Sequence, residues 1–236
     1  MLTIVEIISE ARQGFTKPFL CRCDDGHEYF VKRANAGRKS QIAEWVAGSL
    51  ATHLGLPVPP FDIAEVPRQL LDLRPAEERR EWGDGPVFAS RVVDNAVEIR
   101  FSDLRKIPLR DQAEILLFDS WIGNGDRMLS DLGGNPNMLW SDLEQQISII
   151  DHNLAFESSA AEVRADHVFS AASSAWNLLF ISELPQRLAA AASTIANIWG
   201  KLPDIWVDES AGIITLEGVQ QRLHMSADIH SSFWNS

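Results

Sequence analysis

The chain has 236 residues, enough for one large domain or two small lobes around a cleft. Its balance of 45% hydrophobic and 23% charged residues is that of an ordinary globular protein, and a formal net charge of −12 makes it a poor electrostatic partner for nucleic acid. No stretch approaches the roughly 18 apolar residues of a membrane span, and Glu6 and Glu10 break the N-terminal apolar run, so it is no signal peptide. The two cysteines, Cys21 and Cys23, are too close in sequence for a relaxed disulfide, which predicts a reduced, cytoplasmic protein.

Residues 18–32, PFLCRCDDGHEYFVK, predict a β-hairpin, because two strand-like runs flank the turn pair Asp25-Gly26. Residues 39–54 predict an amphipathic helix: Ile42, Ala43, Val46, Ala47, Leu50 and Leu54 recur at helical spacing, and Gly55 suits its C-cap. LPVPPFDIAEV then reads as a loop entering a strand. Residues 72–86, charged and rich in turn formers, predict an exposed loop. PVFASRVVD, 86–94, predicts a buried strand that runs into a connector. A second helix is expected at 109–122, followed by a glycine- and asparagine-rich loop. A tight hairpin follows, with strands at 138–140 and 147–150, and the rest is expected to be mostly helical, including 184–199 and 215–225. Strands leading and helices following predict an α+β protein.

The chemistry concentrates in residues 119–151. A loop after the second helix offers Asp126, a strand opens at Asn137, and the returning strand ends on Asp151. Two carboxylates and an amide at one edge of a hairpin suit Mg²⁺, which takes oxygen ligands and commonly shares phosphate oxygens. Phosphoryl transfer also needs a carboxylate to orient the attacking hydroxyl. Each residue has a plainer reading, since Asp126, Asn135 and Asn137 suit turns and Asp151 could cap the next segment. Their combined order is what points to chemistry.

Lys32 ends the hairpin strand EYFVK, and Glu44, beside the apolar stripe of the next helix, is the natural ion-pair partner. In the loop RQGFTKP (12–18), Gly14 and Thr16 could bring backbone N–H groups to phosphates. Cys21, Cys23 and His27 lack the four-ligand spacing of a structural zinc site. There is no Walker A loop, no Rossmann glycine fingerprint and no nucleophile elbow.

A strand lysine, a helix glutamate, a linker, then Asp, Asn and Asp around a hairpin resemble the protein-kinase-like superfamily. The wording KPFLCRCDDGHEYFVK, AEWVAGSLATHLGLPVPP, FDSWIGNGDR, NPNMLW and IIDHNLAF resembles the HipA-like kinases and, more distantly, the phosphatidylinositol kinases, over most of residues 12–156. The resemblance implies a two-lobed kinase fold in a single domain, with a strand-rich N-lobe at about 1–88 and a mostly helical C-lobe at about 92–236. It implies ATP and Mg²⁺ as cofactors and a hydroxyl acceptor, most naturally a serine or threonine of a protein. Lys32 would contact phosphates and pair with Glu44, Asp126 would be the catalytic-loop aspartate followed by Arg127, and Asn137 and Asp151 would hold the metal. Asn135 is an alternative to Asn137, because MLSDLGG lengthens the stretch from Asp126. Phe88, Ala89 and Ser90, with Arg91, would form the hinge that meets adenine through backbone groups. The family also implies a neutralising or regulatory protein partner, as in toxin–antitoxin pairs. The competing reading is a nucleotide-binding pseudokinase that serves as an interaction module.

Overall fold

The computed structural model describes residues 1–11, 17–176, 183–226 and 233. Five strands open the chain and close into a barrel: β1 (Leu2–Glu10), β2 (Phe19–Cys23), β3 (Glu28–Lys32), β4 (Phe61–Glu65) and β5 (Val87–Arg91), in the order β1-β2-β3-β5-β4. The β2–β3 hairpin forms because Phe19, Cys21, Tyr29 and Val31 alternate with outward residues and fill the barrel, in the register Phe19↔Val31 and Cys21↔Tyr29. Gly26, at φ 83°, takes the turn position that side chains resist, and the Asp25 carboxylate accepts the His27 N–H at 3.0 Å. Both cysteines are free and buried in this interior, where burial pushes their thiols up to about 12, so neither is a reactive thiolate. Because period 2 puts Val31 inside, Lys32 projects from the other face of β3.

Between β3 and β4 runs α1 (Arg38–Leu54), which packs Ile42, Ala43, Val46, Ala47 and Leu50 into a second, larger core shared with the later helices. It ends on Gly55 in the left-handed conformation, as its sequence predicts. The helix lies so close to β4 that a side chain at Gly48 would meet the Phe61 ring at 2.9 Å.

Residues 72–86 depart from the predicted exposed loop. They follow the short helix α2 (Arg68–Asp72) and contain α3 (Ala76–Trp82). Pro75 leads into α3, Glu77 and Glu78 sit in its first turn and Arg79 and Arg80 in its last, so each charge matches the helix dipole. Trp82 is 1% exposed and meets Phe19 with ring centroids 5.3 Å apart. Trp82→Ala should therefore destabilise the barrel by about 3–5 kcal/mol, measurable by denaturant unfolding; a loss under about 1 kcal/mol, the range of exposed sites, would show that Trp82 is no anchor.

After β5 the chain crosses by β6 (Ala96–Glu98) and enters α4 (Leu109–Ile122) through Pro108. The expected loop beyond α4 instead contains a small exposed hairpin, β7 (Met128–Ser130) and β8 (Gly133–Asn135). Then β9 (Met138–Ser141) and β10 (Gln146–Ile149) join β6 in the sheet order β10-β9-β6. The remaining described elements are helical: α5 (Ala160–Asp166), α6 (Leu184–Ser193), α7 (Ile195–Trp199), α8 (Asp204–Glu209) and α9 (Leu216–His224). Trp121 and Trp206 are buried in their core, whereas Trp234 lies outside the described residues. No helix among the described residues is long and apolar enough to cross a membrane.

Candidate active site

The site forms where the outer face of β3, the helix α1 and the β9–β10 hairpin meet. Lys32 leaves β3 with only 10% of its side chain exposed, and its ammonium bridges two carboxylates. It donates to Glu44 of α1 and, at 2.6 Å, to Asp151 beyond β10. Burial alone would discharge this lysine, but the paired carboxylates outweigh it and hold the ammonium above the usual lysine range. Burial likewise opposes the Glu44 charge, yet Lys32 and the His152 side chain keep that carboxyl well below its ordinary range, and the His152 backbone N–H also donates to it at 3.0 Å. Asp151 goes the other way. Its burial and the nearby Glu44 charge outweigh the pull of Lys32, so its carboxyl is raised.

Asp126 stands in the loop after α4. Its Oδ2 accepts from the side-chain amides of Asn135 at 2.8 Å and Asn137 at 3.1 Å. Both asparagines therefore reach the same carboxylate, but Asn135 is exposed at the end of β8 and Asn137 is buried. Asn137 and Asp151 have φ values of 47° and 56°, in the left-handed region that Asn and Asp tolerate best among side-chain-bearing residues. Such conformations carry a local cost and persist where surrounding contacts over-determine them.

Those contacts come from Arg127. Its guanidinium is fully buried and donates to the Asn137 carbonyl, with longer approaches to the carbonyls of Pro136 at 3.4 Å and Ile150 at 3.5 Å. The Ile150 N–H also donates to the Asn137 carbonyl at 2.9 Å. Arg127 is balanced by Asp119 of α4, at 2.6 Å, and Asp119 also accepts from Asn124 at 3.0 Å. His167 completes the cluster. Its Nδ1 accepts the Phe169 N–H at 3.0 Å, so its Nε2 carries the proton and donates to Asp119 at 3.0 Å. Burial, the largest influence on both, lowers His167 and opposes the Asp119 charge; Arg127 and His167 nonetheless hold the Asp119 carboxyl well below its usual range. Sequence reasoning gave no role to Asp119 or His167. One signal was present: Asp119 interrupts an apolar helical run, and a buried carboxylate needs a partner.

Lys32, Glu44 and Asp151 thus form one cluster, Asp126, Asn135 and Asn137 a second, and Arg127 braces the backbone of both. Gly14 and Thr16 lie outside the described residues. Phe88, Ala89 and Ser90 lie on β5 and pair with β3 on one side and β4 on the other, so the ladders engage their backbone on both edges. The order of strands in the barrel, which the sequence does not display, decides this.

Asn137 and Asp151, with Asn135 as the alternative to Asn137, offer hard oxygen atoms, which fits Mg²⁺. Among the described residues no group of three His, Cys, Asp or Glu residues could hold a metal alone.

A comparison with curated proteins finds no match. Among solved structures, the proinflammatory kinase CtkA of Helicobacter pylori is 14% identical over 95% of this chain and 91% of that one, with a TM-score of 0.47. The FAT and kinase domain of CtTel1 is 12% identical over 97% of this chain and 23% of that one, with a TM-score of 0.24. The model of the HipA-like kinase family matches residues 4–236, and the chain belongs to that family.

Proposed function

We propose that this chain transfers the γ-phosphoryl group of ATP to a hydroxyl, most naturally a serine or threonine of a protein. Supporting the reading above all is Lys32, a buried ammonium held between Glu44 and Asp151. An ammonium so placed can align phosphates while one of its carboxylates turns to a metal. In this reading the barrel and α1 form an N-lobe and the elements after β5 a C-lobe, with nucleotide between them. Asn137 and Asp151 hold Mg²⁺, which neutralises charge on the phosphates when bound. Asp126, steadied by two amides, orients the acceptor hydroxyl and takes its proton.

The raised Asp151 carboxyl makes a pH-dependent prediction. A protonated Asp151 cannot ligate a metal, so Mg²⁺-dependent nucleotide binding falls as pH drops through its raised pKa, above the roughly 3.9 of an ordinary aspartate. Calorimetric titration of Mg²⁺-ADP taken progressively into the acid range should show affinity falling with pH, with proton release on binding wherever Asp151 is protonated in the free protein. Lys32→Met should move that loss to higher pH, because Lys32 is what lowers the Asp151 carboxyl. Asp151→Ala should abolish the metal dependence, and metal-dependent binding that survives it would rule out Asp151 as a ligand. Binding with no phosphoryl transfer to any acceptor, the chain itself included, would favour the pseudokinase reading.

A further inference from the structure

Phosphoryl transfer needs Asp126 and Asp151 in one fixed relation, yet they stand on different segments, one after α4 and one after β10. Asp126 follows the last turn of α4 through Gly123, Asn124 and Gly125. Asp151 leads to Phe156 and Ser158 through a turn in which the Ala155 N–H donates to the His152 carbonyl at 3.0 Å. There the two segments run side by side. The Phe156 N–H donates to the Ile122 carbonyl at 2.6 Å, and the Ser158 N–H to the Gly123 carbonyl at 3.1 Å. A side chain at Gly125 would meet the Ser158 hydroxyl at 2.6 Å, and one at Gly123 would strike the Ser158 carbonyl and the Arg222 guanidinium. Phe156 has a φ of 72°, which is costly for a bulky residue and persists only where its neighbours enforce it.

Arg222 closes this junction. It lies on α9, whose Val219 and Leu223 are buried in the core. The Trp121 indole N–H donates to the Leu223 carbonyl at 3.0 Å, which seats α9 on the end of α4. From that seat the Arg222 Nε donates to the Trp121 carbonyl at 3.2 Å and its Nη2 to the Ser158 carbonyl, with a longer approach to the Ser120 carbonyl at 3.5 Å. Among the described residues its hydrogen bonds all go to main-chain carbonyls. The arrangement follows from the helix end. The last turn of a helix leaves carbonyls without helical partners, and its negative dipole end favours a cation. Here Ser120 and Trp121 turn to Arg222, and Ile122 turns to the Phe156 N–H, so the terminus of α4 is completed by α9 and by the segment after Asp151.

We propose that Arg222 is a positioning residue for phosphoryl transfer. By bonding the end of α4 to Ser158 it fixes the spacing between Asp151 and Asp126, and with it the spacing between phosphates and acceptor hydroxyl. This role rests on the kinase reading above. Nucleotide and metal use the Asp151 cluster alone, whereas transfer uses both clusters, and a misplacement of about 1 Å can cost about 10²-fold in rate.

The test follows transfer of label from γ-labelled ATP to casein and to the chain itself, in a single turnover at saturating nucleotide. Arg222→Met should lower the rate by about 10–100-fold and leave Mg²⁺-ADP affinity within about two-fold of wild type. Arg222→Lys keeps the charge and can reach one carbonyl, so it should recover part of the rate. Hydrogen exchange reads the clamp without turnover. In Arg222→Met the Phe156 and Ser158 amides should exchange about ten-fold faster or more, because a charged hydrogen bond is lost, while the Ile149 amide of β10 keeps its protection. Faster exchange throughout the chain with loss of nucleotide binding would make Arg222 a stability residue and overturn the proposal. Unchanged exchange at Phe156 and Ser158 would overturn it too, as would local release with an unchanged transfer rate. A wild-type chain that transfers to no acceptor would overturn the kinase reading instead, and the exchange result would then decide the clamp on its own.

Discussion

Asp126→Ala should lower the rate of phosphoryl transfer by about 10²–10⁴-fold while leaving Mg²⁺-ATP affinity within about two-fold of wild type. The reason is its place in the site. Asp126 accepts from two amides, Asn135 and Asn137, and no ion pair reaches it among the described residues. Lys32 and Asp151 sit in the separate cluster assigned to phosphates and metal, and Asn137, which also bonds Asp126, keeps its backbone held by Arg127. Removing Asp126 therefore removes a group that acts on the acceptor hydroxyl, and the loss falls on kcat. Asn135→Ala provides the graded comparison. It removes one exposed amide-to-carboxylate bond, worth about 1–1.5 kcal/mol, so a decrease of only about five- to twelve-fold is expected. The two measurements are single-turnover transfer with saturating nucleotide and calorimetric binding of Mg²⁺-ATP. Full turnover in Asp126→Ala would remove Asp126 from the reaction, and an equal loss of nucleotide affinity would place it among the metal ligands instead.

The sequence made the local geometry of this site legible, because local rules govern it. Alternation along EYFVK puts Lys32 opposite the barrel interior, and the apolar stripe of α1 sets Glu44 at the edge of the packed face. The β9–β10 hairpin announces itself by two apolar runs and a polar turn, and it ends two residues before Asp151. Non-local facts were not legible. Nothing in PVFASR says that β5 lies between β3 and β4, yet that pairing engages its backbone on both edges. Nothing in EERREW separates a solvated loop from a helix that seats Trp82 against Phe19, because tertiary burial decides it. The left-handed Asn137 and Asp151 carry no glycine to mark them. Their conformations depend on Arg127, ten residues from one and more than twenty from the other, and Arg127 depends on a carboxylate in a different element.

That dependence makes Asp119 the second large effect, on stability rather than on a chemical step. Asp119→Ala leaves the Arg127 guanidinium buried without its counter-charge, and breaking a buried pair from one side costs about 3–5 kcal/mol. Denaturant unfolding should show the loss, and any folded fraction should bind nucleotide weakly because Arg127 no longer fixes the Asn137 and Ile150 carbonyls. The double variant Asp119→Leu with Arg127→Met should be more stable than the sum of its single variants, since it leaves no charge stranded. Additive losses would mean that the two side chains do not act as a pair. The same cluster sets a sign for pH. His167 is lowered, so as pH falls below about 6.5 the unfolded chain takes up a proton there before the native chain does, and stability declines. Asp119 is depressed, so its contribution is fully present above about 3.9 and is lost as pH falls through its folded value. Both groups make stability rise with pH on the acid side, first through His167 and then through Asp119. A His167→Gln variant should lose the upper part of that slope and keep the lower. An unchanged slope between pH 7 and pH 5 would show that His167 does not carry it.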